Sequence, residues 1–263
     1  MFSYIWHTFF FDPVYNALVF FIDIIPGGDV GLAIVATVFL VKTILLPVSI
    51  KAAQTQRIMK EIEPKLKELK ITHKDDREAQ SRAMLDTYRE AGMNPFASIF
   101  LILLQIPLLI AMYFAVIGLY PPVVDGAPIE DIGFLSIFAG EASKDIVINP
   151  DDLYSFVPIP TESNRFFLNQ FDITDKSIFL AVVVAITQFL VVILTMPKVP
   201  PRKEGDAPDM KADFARNMQV QMKYVLPLVM GAVAYSISVA IALYFLVSNI
   251  TALLQEIFVR KHR

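Results

Sequence analysis

The chain has no cysteine, which rules out a disulfide framework, thiolate chemistry, a cysteine-based metal site and a lipoprotein anchor. Its three histidines, His7, His73 and His262, are too scattered along the chain to share a metal ion. No G-x-S-x-G elbow, H-E-x-x-H pair or G-x-x-x-x-G-K-[ST] loop occurs, so intramembrane proteolysis and nucleotide hydrolysis lack their usual parts. The expectation is a protein that is not an enzyme and uses no cofactor. Met1 to Asp12 contain no Lys or Arg, so they lack the basic start of a cleavable leader and read as mature sequence.

Apolar residues, by contrast, make up 55% of the 263 positions, with 21 Phe among them. A soluble core does not require so many, and several runs approach the ~20 residues that cross a bilayer. The expectation is one all-α integral membrane domain with spans at 30–50, 95–118, 177–197, 219–235 and 237–258, the last two turning at Ala234-Tyr235-Ser236. The apolar run Val14–Ile25 is about twelve residues, too short to cross, and reads as an interfacial helix in an outer segment 1–29.

Charge sets the expected orientation. The segment 51–94 carries ten basic residues, the linker 198–218 and the tail 259–263 are basic too, while 119–176 carries only Lys144, Arg165 and Lys176 against ten carboxylates. By the positive-inside rule 51–94, 198–218 and the tail lie in the cytoplasm and the N-terminus outside. The acidic 119–176 loop is expected to fold against the membrane only in part. Ile58, Ile62, Leu66 and Leu69, then Ala79, Ala83 and Tyr88, are spaced as two amphipathic helices around Thr72-His73-Lys74-Asp75, an antiparallel hairpin. Its cations Arg57, Lys60, Lys65, Lys67 and Arg77 are candidates for partner docking; the competing reading is a solvated helix surface laced with i,i+4 pairs. Glu61, Glu63, Glu68, Asp75, Asp76, Glu78, Asp86 and Glu90 nearly balance them, so strong direct nucleic-acid binding is not expected.

Lys42 stands apart. It lies about 18 Å along a helix from Val30 and about 13 Å from Lys51, beyond the ~6 Å that a lysine gains by snorkelling. A charge at that depth costs ~3 kcal/mol on insertion scales unless water or a partner meets it. At about 1.5 Å per residue, Gln105 lies about 15 Å from Pro95, Gln188 about 15 Å from Lys198 and Asn249 about 16 Å from Arg260. Thr43 and Ser248 are within a turn of that level, as are Thr187 and Thr251. Singly, each Gln or Asn reads as ordinary interhelical hydrogen bonding; together with a charge they read as a wet, cytoplasm-facing groove. No carboxylate shares the level, which argues against a proton relay, and Pro47, Pro107 and Pro227 provide kinks that could splay the helices.

These residues resemble the YidC/Oxa/Alb membrane protein insertases in their short form without a large periplasmic domain. The resemblance rests on Leu40-Val41-Lys42-Thr43 with Leu46-Pro47, Glu63-Pro64-Lys65, Asn94-Pro95, Gln105-Ile106-Pro107, Tyr113 and Leu243-Tyr244-Phe245-Leu246-Val247-Ser248-Asn249 continuing to Gln255. It implies an insertase and chaperone, acting alone or with the Sec translocon, in which Lys42, Thr43, Gln105, Gln188, Ser248 and Asn249 form the substrate groove. It further implies an apolar slide toward the bilayer at Phe189, Val192 and Tyr244, with nascent membrane proteins, ribosome and translocon as partners. Most bacterial relatives carry arginine where this chain has Lys42, which keeps the charge but not the guanidinium fork. Two other readings compete: a small-solute anion carrier or channel, requiring a path open to both sides, and a structural subunit whose polar residues only join helices.

Overall fold

A computed structural model describes residues 2–74, 76–92, 96–124, 127–128, 141–143, 145–195, 217–218 and 220–261. The motif Asn94-Pro95, most of the 198–218 linker and the end of the tail lie outside the described residues. The protein is an all-α membrane protein. Ser3–Ile24, Val30–Thr55, Ile178–Thr195 and Val239–Val259 each have the length and apolar character of a bilayer crossing, and Leu103–Leu119 is a shorter apolar stretch.

The N-terminal helix is longer than the twelve residues expected. α1 (Phe2–Trp6), a π-turn (His7–Phe11) and α2 (Asp12–Ile24) follow one another without a break. Pro13 has no N–H to offer, and the wide turn carries the chain past it by bonding the Asp12 N–H to the His7 carbonyl. Val14, Leu18, Val19 and Ile22, an i, i+4, i+5, i+8 stripe, are buried against α3 and α5.

α3 (Val30–Thr72) also overrides an expected boundary. It is one 43-residue helix that joins the first apolar run to the first arm of the hairpin, with Pro47 and Pro64 inside it. Nothing at Lys51 stops a helix, because Ala52, Ala53 and Gln54 are good helix formers. The Asp29 carboxylate caps its start, accepting from Leu32 N–H at 2.9 Å. After the turn at His73, α4 (Arg77–Glu90) runs back along α3, capped by Asp76, which accepts from Glu78 and Ala79 N–H at 3.0 and 2.9 Å.

α5 (Phe96–Leu119), α6 (Ile178–Thr195), α7 (Leu226–Ile237) and α8 (Val239–Lys261) complete the bundle. The α7–α8 turn falls at extended Ser238, two residues beyond the expected Ala234–Ser236. Packing orders the helices α5–α3–α8–α6–α7, and α5 and α6 share no extended interface among the described residues. Gly231 lets α7 approach α6 closely, since a Cβ there would stand 3.0 Å from that of Ala185.

The far end of the acidic loop is docked on the bundle, more completely than expected. Val30 N–H donates to the Asn164 carbonyl and Asn164 N–H to the Gly28 carbonyl, at 2.9 and 2.8 Å. Asp29 accepts a second bond, from Leu168 N–H at 2.8 Å, and Val239 and Ala240 N–H donate to the Asp175 and Ile173 carbonyls. Asn16 of α2 donates to the Asp152 carbonyl and accepts from Tyr154 N–H. Buried Asp172 pairs with Arg165 at 2.5 Å, and Ile173 is fully buried. Short strand pairs, β1 (Pro122–Val124) with β2 (Ala127–Pro128) and β3 (Glu141–Ala142), and β4 (Phe166–Phe167) with β5 (Phe171–Asp172), pin the loop locally. Together α2 and residues 145–175 form a cap over one end of the bundle, opposite the α3–α4 hairpin.

Candidate functional site

The bundle holds an open cavity of about 760 Å³, far above the ~15 Å³ that one ordered water needs. Lys42, Thr43, Gln105, Gln188, Ser248 and Asn249, from four helices, all line it. Their convergence follows from geometry: a membrane helix keeps its backbone bonds and its rise per residue, so residues at one depth on facing stripes meet. The cavity runs from this level toward the hairpin, past Ser49 on α3, Thr195 on α6 and Gln255 on α8. At the other end Val38, Met112, Val184 and Leu243 are buried, and Val14 of α2 borders a small void that reaches the back of Lys42.

Lys42 is half-buried, and its Nζ lies 6.0 Å from the centre of the Tyr244 ring, a cation–π contact at the edge of the useful range. Among the described residues it forms no hydrogen bond or ion pair. Pro47 supplies no N–H to the Thr43 carbonyl one turn earlier, which leaves that acceptor on the same wall. The Thr43 hydroxyl itself donates back to the Phe39 carbonyl at 2.8 Å. The Ser248 hydroxyl is buried without a partner among the described residues.

Asn249 plays a different part from the one expected of a groove-hydrating amide. Its Nδ2 donates to the Thr187 hydroxyl at 3.0 Å and reaches the Val184 carbonyl at 3.4 Å, tying α8 to α6. Nearer the hairpin, the Ser49 hydroxyl donates to Gln255 Oε1 at 2.7 Å and ties α8 to α3. Sequence reading passed over Ser49 and Thr195; their signal was a spacing of two helical turns from Lys42 and Gln188.

The profile of the 60Kd inner membrane protein family matches residues 21–263. The chain belongs to this family. Three relatives named membrane protein insertase YidC place that match among individual proteins. The one from Agrobacterium fabrum is 37% identical over 108 residues, 41% of this chain and 18% of the relative. The one from Psychromonas ingrahamii is 35% identical over 113 residues, 43% and 20%. The one from Francisella philomiragia is 23% identical over 235 residues, 89% and 33%. The chain thus spans a third or less of the length of these curated relatives.

Within this 60Kd-family bundle the expected slide residues do not share a lipid-facing surface. Val192 and Tyr244 are buried, and half-buried Phe189 packs against Tyr224 with ring centres 5.9 Å apart. The exposed apolar stripe of α6 is instead Val182, Ile186, Leu190 and Ile193, and α5 exposes Leu103 and Ile106. Of the docking candidates, Lys65 is paired with Glu90 at 2.8 Å across the hairpin, and Lys67 with Glu63 at 2.8 Å along α3. Arg77 is exposed at the start of α4, and the side chains of Arg57 and Lys60 lie outside the described residues.

Proposed function

We propose that this protein is a membrane protein insertase and chaperone whose cavity receives the polar part of an incoming segment, with Lys42 as electrostatic attractor. The observation that carries the reading is a cation on the wall of a large cavity that gathers polar side chains from four helices among apolar ones, at membrane depth, with no ion-pair partner among the described residues. A buried charge without a partner is a persistent cost unless an entering group uses it. The names of the relatives support the same activity.

Ser3–Ile24 is long enough to cross, but it carries His7, Asp12, Asn16 and Asp23 and ties through Asn16 to the 145–175 segment, so we read it as lying along the outer interface. The five crossings are then 30–50, 95–118, 177–197, 219–235 and 237–258, with the cap and N-terminus outside and the hairpin and C-terminus in the cytoplasm. The cavity then opens to the cytoplasm, and lipid partitioning and membrane potential drive transfer without a chemical step. α5 and α6 share no extended interface among the described residues although both contribute to the cavity, and each carries an exposed apolar stripe, which supports a lateral way into lipid between them. The substrates are nascent membrane proteins, and the hairpin is the surface for ribosome and Sec translocon. The cap argues against an anion carrier, which needs access from both ends.

The test is insertion of a small acidic-tailed membrane protein by the protein reconstituted in liposomes. Wild type and Lys42→Arg should insert it and Lys42→Ala should not; equal yields from all three would refute the attractor.

A further inference from the structure

The turn that joins β4 to β5 carries two costs that its own packing does not offset. Leu168 and Asn169 both stand at positive φ, +52° and +56°, in a mirror-image turn that suits asparagine and glycine. A leucine resists that backbone, because its Cβ crowds the following carbonyl. The Leu168 side chain is also more than half exposed, so contacts within the protein do not compensate. Three hydrogen bonds nevertheless hold the tip in this shape. Leu168 N–H donates to the Asp29 carboxylate at 2.8 Å, Asn169 N–H to the Phe166 carbonyl at 3.3 Å and Gln170 N–H to the Phe167 carbonyl at 3.1 Å.

The seat of the hairpin supplies a reason. Phe167 closes over Gly31 at the start of α3, leaving no room there for a Cβ. Its cross-strand partner Phe171 stacks on Phe179, with ring centres 6.0 Å apart. Phe179 heads an exposed stripe of α6, followed at helical spacing by Val182, Ile186, Leu190 and Ile193. Because α6 has the length and apolar character of a bilayer crossing, that stripe meets acyl chains, and Phe171 joins the hairpin to it. We propose that the β4–β5 hairpin is a lipid anchor whose Leu168 tip enters the bilayer beside the start of α6. Lipid around Leu168 offsets both costs, and the three bonded N–H groups let the tip leave water without orphaned donors. Asp29 also caps α3, so the anchor is bonded to the helix that carries Lys42. The anchor requires that the bundle cross a bilayer and is independent of the insertase reading.

The chain has no cysteine, so single cysteines can carry a nitroxide label without background. In liposomes containing the full chain, a label at Leu168→Cys is compared with one at Ile186→Cys, on the exposed stripe of α6, and one at Lys74→Cys, in the exposed α3–α4 turn. Each is scored by its collisions with oxygen, which dissolves in acyl chains, relative to a water-soluble nickel chelate. The Leu168 label should give an oxygen-to-nickel ratio several-fold above the Lys74 label and near the Ile186 label; a ratio no higher than at Lys74 overturns the anchor. To separate the leucine's effect from the label's, a label at exposed Gln170→Cys is read with Leu168 intact, with Leu168→Met and with Leu168→Asn. Asparagine suits the turn, so the hairpin keeps its shape. The ratio should fall several-fold in Leu168→Asn and hold in Leu168→Met; equal ratios in all three overturn the proposal.

Discussion

Reversing the charge at Lys42 tests whether the cavity works by electrostatics. With an incoming carboxylate ~6 Å from the ammonium, the attraction is ~3 kcal/mol at an effective dielectric of ~20 and ~0.7 kcal/mol in bulk water. The site lies between these limits, because Lys42 is half-buried on the wall of a cavity roomy enough for water. Lys42→Glu replaces attraction by repulsion of similar size, a swing of ~1.4 to ~5.5 kcal/mol, or about ten- to ten-thousand-fold in insertion of an acidic-tailed substrate. A general loss of function would look the same on that substrate alone, so the assay carries a second one whose tail is lysine in place of aspartate. In proteoliposomes, scored by protease protection of the tail, Lys42→Glu should insert the basic-tailed form better than wild type does. The sole tryptophan, Trp6, packs edge-on to Phe114 and reports on folding in both variants. If folded Lys42→Glu handles the acidic tail as wild type does, or fails on both tails, attraction by Lys42 is not the mechanism.

Three further outcomes follow from other parts of the fold. Asn249→Leu removes the tie from α8 to Thr187 and Val184, and should lower resistance to denaturing detergent by ~1–2 kcal/mol, read from unfolding curves. Gly28→Ala puts a side chain at φ +60° into the Glu162 carbonyl, so it should loosen the cap by more than ~1 kcal/mol and speed proteolysis between residues 145 and 175. In the hairpin, the hydrogen-bonded Lys65 ammonium holds the Glu90 carboxyl below its ordinary value. A depressed carboxyl stabilises the folded form above the unfolded value and loses that contribution as pH falls through the folded one. Spin-label distances between α3 and α4 should therefore stay constant from neutral pH down to the ordinary glutamate range and lengthen only in stronger acid.

That Lys42, Thr43, Gln105, Gln188, Ser248 and Asn249 meet at one cavity was legible because depth in a membrane helix is arithmetic: a polar side chain ten residues from a boundary has one height. Which way a side chain faces is a matter of packing, and there sequence reading failed. Val192 and Tyr244 are buried in the bundle, while Ile186 and Leu190, aliphatic like Val192, are exposed. Asn249 looked like a groove amide, but its donors serve α6, a bond formed across 62 residues that no local pattern announces. The cap was hidden for the same reason, since Asp29 finds Leu168 at a separation of 139 residues. The backbone runs on where polarity changes: α3 passes from the expected span into the hairpin at Lys51 unbroken, and a π-turn carries the N-terminal helix past Pro13.

The distribution of polarity along the bundle axis bears most on mechanism. From the cap to Lys42 the helices meet through buried Val38, Met112, Val184 and Leu243; from Lys42 to the hairpin they line a cavity in which polar side chains stand among apolar ones. A structural subunit has no use for such an asymmetry, because interhelical hydrogen bonds stabilise equally well at any depth. A carrier needs polarity on both sides of its site. The proposed receptor, which admits a polar segment part-way, holds it by charge and then lets its apolar neighbour move sideways, needs a cavity with polar groups at its deep end and a gap between helices beside it. Lys42 lines the deep end of that cavity, which is where the proposed attractor would meet an acidic group that has entered as far as the cavity reaches.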